Sequence, residues 1–189
     1  MSVILIGGTP GTGKTKVAGA LGSRQGVEVV SISKFADESG CISAEDKARD
    51  TGIINEDCLV EALLDLVEEK GKRMIIEGHY IDLVPSSSVQ WVFILRTHPE
   101  TLQSRLRERG YKEAKVAENV EAEVLGVCQL DALESFGEKR VFEIDTTDLN
   151  TSQAVDIIED MMSNPRDPER IDWMEYLERE GRLDDFLSE

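Results

Sequence analysis

Apolar residues in this chain fall into short continuous runs, separated by stretches in which they recur every three or four positions. Five runs read as strands: Val3–Gly7, 27–32, 73–77, 90–95 and 140–145. Met74-Ile75-Ile76 and Trp91-Val92-Phe93-Ile94-Leu95 show no polar alternation, as expected of parallel strands covered on both faces. Between the runs the period becomes helical. Val17, Ala18 and Leu21 follow the first run; Leu59, Leu63 and Leu66 form a second stripe, opened by Asn55 as a cap and closed by Gly71. Thr97 or His98 with Pro99 starts a helix through Leu102 and Leu106 that stops at Gly110. Residues 112–136 read as one long helical stretch and 152–162 as another. Regular alternation of strand and helix predicts an α/β, three-layer, doubly wound fold around a five-stranded parallel sheet.

Two segments break the rhythm. Residues 41–56 are polar and weakly periodic between Gly40 and Gly52, which predicts a functional loop rather than filler. Asn164-Pro165-Arg166-Asp167-Pro168 ends the alternation. Beyond it, residues 164–189 predict an acidic helical extension with Ile171, Met174 and Leu177 on one face and Trp173 beside them. The rest, residues 1–163, reads as one domain.

Composition narrows the class. The 189 residues are 40% hydrophobic and 31% charged, enough for one real core in a globular chain. No apolar run approaches the ~20 residues of a membrane span. The chain enters a strand directly, so no signal peptide is expected. Cys41, Cys58 and Cys128 are unpaired by spacing, which predicts free thiols and a cytoplasmic, reducing setting rather than a disulfide framework or zinc cluster.

A formal net charge of −17 argues against DNA or general nucleic-acid binding, which needs a basic face. It fits solubility, a salty cytoplasm or a basic partner. Positive charge concentrates instead at Arg96, Arg105, Arg107, Arg109, Lys112 and Lys115.

The chemistry sits directly after the first strand, in Gly8-Thr9-Pro10-Gly11-Thr12-Gly13-Lys14-Thr15. Strand, glycine loop and helix in this order make a phosphate cradle, because backbone N–H groups turn inward and the helix N-terminus adds partial positive charge. Lys14 is placed to reach β- and γ-phosphates, and the Thr15 hydroxyl to ligate Mg²⁺. Glu77-Gly78-His79 ends the third strand, at the edge where ligands of such sheets bind. Glu77 suits the Mg²⁺ shell through water; His79 suits orienting a water or phosphate, or simply a satisfied loop. Arg109, before the hinge-like Gly110, is the first choice for a cation closing over the transferred group, and Arg105 the second. No Asn is followed by Lys, so the guanine reader of GTPases is absent and ATP is favoured.

The glycine loop together with Glu77-Gly78-His79, Leu95-Arg96-Thr97, and Arg105, Arg109-Gly110-Tyr111, Lys115 and Asn119 resembles the adenylate kinase isoenzyme 6 family across roughly residues 1–160. The resemblance implies adenylate kinase and ATPase activity, Mg²⁺, and a role in small ribosomal subunit maturation through a basic ribosomal protein. It also implies that Gly11, Gly13, Lys14, Thr15, Lys16 and Arg109 contact ATP, and that His79 is tied to hydrolysis. The AMP side would be residues 31–57, with Lys47 or Arg49 on phosphate, and a short lid would span 108–119. Glu77 stands where the eukaryotic pattern has Asp. A P-loop kinase for another acceptor, such as a sugar acid or shikimate, is the alternative.

Overall fold

A computed structural model describes residues 2–46, 51–70 and 73–187. Among them, five parallel strands form the main sheet: β1 (Val3–Gly7), β2 (Glu28–Ser31), β5 (Met74–Gly78), β6 (Val89–Arg96) and β7 (Val141–Asp145). The spatial order is β2-β5-β1-β6-β7, so the strand carrying the glycine loop lies at the centre. The expected doubly wound α/β fold is the fold observed.

Alternation within the apolar runs explains the three layers. Val3 and Leu5 point to one face with Met74, Ile76, Leu59, Leu63 and Phe136. Ile4 and Ile6 point to the other, with Val17, Leu21, Phe93, Ile144 and Val155. One face is covered by α2 (Ile32–Glu38), α3 (Glu56–Lys70) and α6 (Val127–Phe136), the other by α1 (Lys14–Gln25) and α7 (Thr151–Ser163). Asn55 caps α3 by accepting the Cys58 N–H at 3.2 Å. Pro99 opens α4 (Pro99–Glu108) at a position where its missing N–H costs nothing.

The structure departs from the sequence reading at three places. The expected loop at 41–56 contains an antiparallel hairpin, β3 (Ile42–Asp46) and β4 (Thr51–Ile54). The expected long helix at 112–136 is two helices, α5 (Glu113–Val124) and α6, broken where Gly126 takes a left-handed φ of 67°. Cys41 and Cys58 are joined in a disulfide, correcting the expectation of unpaired thiols and withdrawing that argument for a reducing compartment. Cys128 is a buried free thiol, as expected.

The C-terminal segment folds back onto the domain. Trp173, which opens α8 (Trp173–Arg179), is buried edge-on to His98. Phe186 packs on Leu102, Leu106, Val116 and Val120 between α4 and α5, and Arg182 pairs with Glu100 at 2.5 Å. Among the described residues, no helix is long and apolar enough to cross a membrane.

Candidate active site

The glycine loop leaves β1 and turns tightly under α4. Gly11 has φ 102°, and a Cβ there would stand 2.6 Å from Leu102 Cδ1, so only glycine fits both the backbone and the space. Inside the loop, the Thr12 N–H and hydroxyl both donate to the Thr9 carbonyl, at 3.3 and 2.9 Å. Lys14 begins α1, and its Nζ lies 3.5 Å from the same carbonyl. The first turn of α1 therefore presents backbone N–H groups at the loop.

Register brings the acid to this loop. β1 and β5 pair with Ile6 opposite Glu77 and Gly7 opposite Gly78. The Glu77 carboxylate is buried there and accepts the Thr15 hydroxyl at 3.2 Å. Burial, more than any neighbour, lowers the pKa of Lys14 from its ordinary value; Glu77 and Glu123 pull the other way and Arg109 reinforces the lowering. His79 follows β5, half-buried, with Nδ1 3.0 Å from the Cys128 sulfur. Burial first and the Lys14 charge second push its pKa down.

Beside the loop opens a cleft of about 490 Å³, a size suited to a nucleotide-sized ligand. The lining of the cleft includes Gly11, Gly13, Lys16, Arg105 and Arg109, with Leu149 and Asn150 from the segment after β7. Arg109 reaches the cleft from the C-terminus of α4, just before the turn in which Gly110 has φ 76°. A cradle for phosphates, a hard carboxylate and hydroxyl pair, and an arginine at a helix end thus share one sheet edge. Such a set can bind a nucleoside triphosphate and stabilise charge on a transferred phosphoryl group.

Known proteins are similar to this chain in sequence. Residues 4–126 match the family described as an AAA domain. A protein of Methanothermobacter thermautotrophicus named "Putative adenylate kinase" is 43% identical over 164 residues, covering 87% of this chain and 91% of its own length. The chain belongs to that family. A member with the same name from Archaeoglobus fulgidus is 35% identical across 98% of both chains, so the family match includes the C-terminal segment. The shikimate kinase structure from Bacteroides thetaiotaomicron shares the fold, with a TM-score of 0.60 at 14% identity, covering 86% of this chain and 98% of its own.

Of the other basic residues singled out in the sequence, Arg105 also lines the cleft, and Arg96, Arg107 and Lys115 are engaged in ion pairs. Arg105 donates to the carbonyls of Thr146 and Thr147 at 2.9 and 3.0 Å, holding the loop after β7. Arg96 is buried and paired with Glu123 and Glu143, so it offers no charge to a ligand. Arg107 pairs with Glu113 and Lys115 with Glu118 on the surface. Lys47 and Arg49 lie outside the described residues. Among the described residues no cluster of three or more His, Cys, Asp or Glu could hold a metal alone.

Sequence reasoning missed two parts of the site. Part of the cleft lining comes from Thr146, Leu149 and Asn150, whose only signal was a polar run at the carboxyl end of a strand. Glu123, 114 positions from Thr9, accepts the Thr9 hydroxyl at 2.6 Å and anchors the start of the glycine loop.

Proposed function

We propose that this protein is an adenylate kinase that moves the γ-phosphoryl group of ATP to AMP and, more slowly, to water. The observation that carries this reading is the Thr15–Glu77 hydrogen bond beside a glycine loop whose Gly11 and Gly13 line a cleft with Arg109. Relatives named "Putative adenylate kinase" support it across nearly the whole chain.

In this reading the loop N–H groups, Lys14 and Lys16 hold the ATP phosphates, with Gly11 and Gly13 allowing close approach of the backbone. Leu149 and Asn150 face the base and ribose across the cleft. Thr15 Oγ1 and the Glu77 carboxylate are hard oxygen donors 3.2 Å apart, a donor set that fits Mg²⁺ completed by water and phosphate oxygens. When bound, Mg²⁺ neutralises charge on the phosphate oxygens. Lys14 and Arg109 carry the remaining electrostatic load as charge spreads over the transferred group, and closure of the 108–119 lid excludes water. AMP docks on the side formed by residues 31–57. His79 orients the water in the slower hydrolysis.

ADP formation from Mg-ATP, measured alone and with AMP, shikimate or a sugar acid, tests the acceptor. AMP should accelerate it well beyond the water rate and beyond the others; equal rates with and without AMP would refute the kinase reading.

The net charge of −17 supports a basic protein partner as well, a small-subunit ribosomal protein by the resemblance noted above. Binding to such a protein should be strong at low salt and lost as salt is raised. Absence of binding at low salt would remove the partner.

A further inference from the structure

Helix α4 rests on the glycine loop. Leu102 and Leu106, one turn apart, are fully buried, and a Cβ on Gly11 would stand 2.6 Å from Leu102 Cδ1 and 3.1 Å from Leu106 Cδ2. The same helix brings Arg105 and, at its end, Arg109 to the cleft. With Val116 and Val120 of α5, the two leucines form a small apolar cluster separate from the two that flank the sheet. Among the described residues, the partly buried apolar side chain packed on this cluster is Phe186, from the C-terminal segment. We infer that Phe186 is a positioning residue for the ATP side: its ring holds α4 against the glycine loop and so sets where Gly11 and Arg109 meet the phosphates. The inference rests on the nucleotide site proposed above and adds to it a residue that touches no substrate.

The ring is a fixed support. Helix α8 buries Trp173 and Leu177, and after Gly181, at φ 67°, the Arg182 N–H returns to the Leu177 carbonyl at 2.9 Å. Arg182 then bridges to α4: it pairs with Glu100 in the first turn at 2.5 Å, and its guanidinium carbon lies 5.5 Å from the Phe186 ring centroid. The seam that the ring supports is thin. Helix α4 has ten residues and ends at the Gly110 turn, so its placement depends on packing rather than on helix propensity. A ring removed from a close-packed cluster leaves a gap that its neighbours move to fill. Those neighbours include Leu102 and Leu106, the side chains that bear on Gly11. A misplacement of about 1 Å at such a site is enough to cost affinity and rate. The acceptor side is spared, because residues 31–57 follow β2 at one end of the sheet, whereas α4 follows β6 beyond the central strand.

Calorimetric titration of the whole protein with a non-hydrolysable ATP analogue and Mg²⁺, and separately with AMP, tests this. Phe186→Ala should weaken the analogue about fivefold and leave AMP unchanged, with full binding stoichiometry showing that the protein is folded. Phe186→Leu, which keeps an apolar wedge, should lie within about twofold of wild type. Arg182→Gln, which keeps the ring and removes its tie to Glu100, should weaken the analogue by about twofold. Hydrogen exchange at the amides of residues 11–13 should quicken in Phe186→Ala and recover in Phe186→Leu. Analogue affinity unmoved in Phe186→Ala, or equal weakening of analogue and AMP, would overturn the inference. Should the wild type bind the analogue but pass no phosphoryl group to AMP, the kinase reading fails, and an analogue affinity that follows residue 186 leaves the positioning role standing.

Discussion

Lys14 and Thr15 open α1 and Glu77 lies on β5, and their meeting depends on the register of β5 against β1, the strand before the loop. Glu77 sits opposite Ile6, two positions before the loop begins at Gly8, and its carboxylate accepts the Thr15 hydroxyl. Glu77→Gln keeps the shape and an acceptor for the Thr15 hydroxyl but removes the charge. Mg-dependent ADP formation should fall about a hundredfold, with the thermal midpoint close to wild type; an unchanged rate would remove Glu77 from the metal site. These residues were legible because each is fixed by its neighbours in sequence: a loop after a strand, an acid at a strand end. Contacts made across the fold left no such mark. The Thr9–Glu123 and His79–Cys128 pairs join positions 114 and 49 residues apart, and neither spacing carries a signal. The arginines show the same limit. Composition marked Arg96 as charge for a ligand, whereas the fold buries it between two glutamates.

Among the elements, the parallel strands were readable because burial on both faces leaves uninterrupted apolar runs. The break in the 112–136 helix was not, because Val124-Leu125 and Val127 continue the apolar pattern across Gly126. Helix α2 was hidden differently: it starts at Ile32, directly after β2, with no breaker between them. The hairpin β3–β4 is short and polar, and its tie to the fold is partly covalent. Cys41 and Cys58 close a loop of sequence separation 17 around it. A loop of that size predicts a stabilisation of ~3 kcal/mol from the cross-link. Cys58→Ser should lower the urea midpoint accordingly, and reductant should destabilise the wild type but not the variant. Equal midpoints with and without reductant would count against the cross-link.

For the whole molecule, the C-terminal segment is a structural part of the domain rather than a free acidic arm. The Arg96–Glu123–Glu143 cluster reaches from the glycine loop to this segment: Glu123 holds Thr9, and Glu143 accepts the Ile171 N–H at 3.1 Å. Trp173 is the main apolar anchor, and its indole N–H is buried without a partner. Trp173→Ala should cost ~3 kcal/mol in chemical denaturation, while Trp173→Phe should cost less than about 1 kcal/mol because it keeps the ring and removes the unpaired donor. Equal losses in the two variants would mean that the ring is not what docks the segment. The expected helical face of Ile171, Met174 and Leu177 is not the one that docks: Ile171 precedes α8, and the helix buries Trp173 and Leu177 instead. Leu177 is fully buried and Met174 exposed, a division set by the partner surface.

The account turns on phosphoryl transfer to AMP through Lys14. Its most direct test follows labelled phosphorus from the γ-position of Mg-ATP in the presence of AMP, with Lys14→Ala alongside. The label should appear in the β-position of newly made ADP with the wild type, and the variant should lose at least a hundredfold of that rate. Label released only as inorganic phosphate, or transfer undiminished in Lys14→Ala, would contradict it.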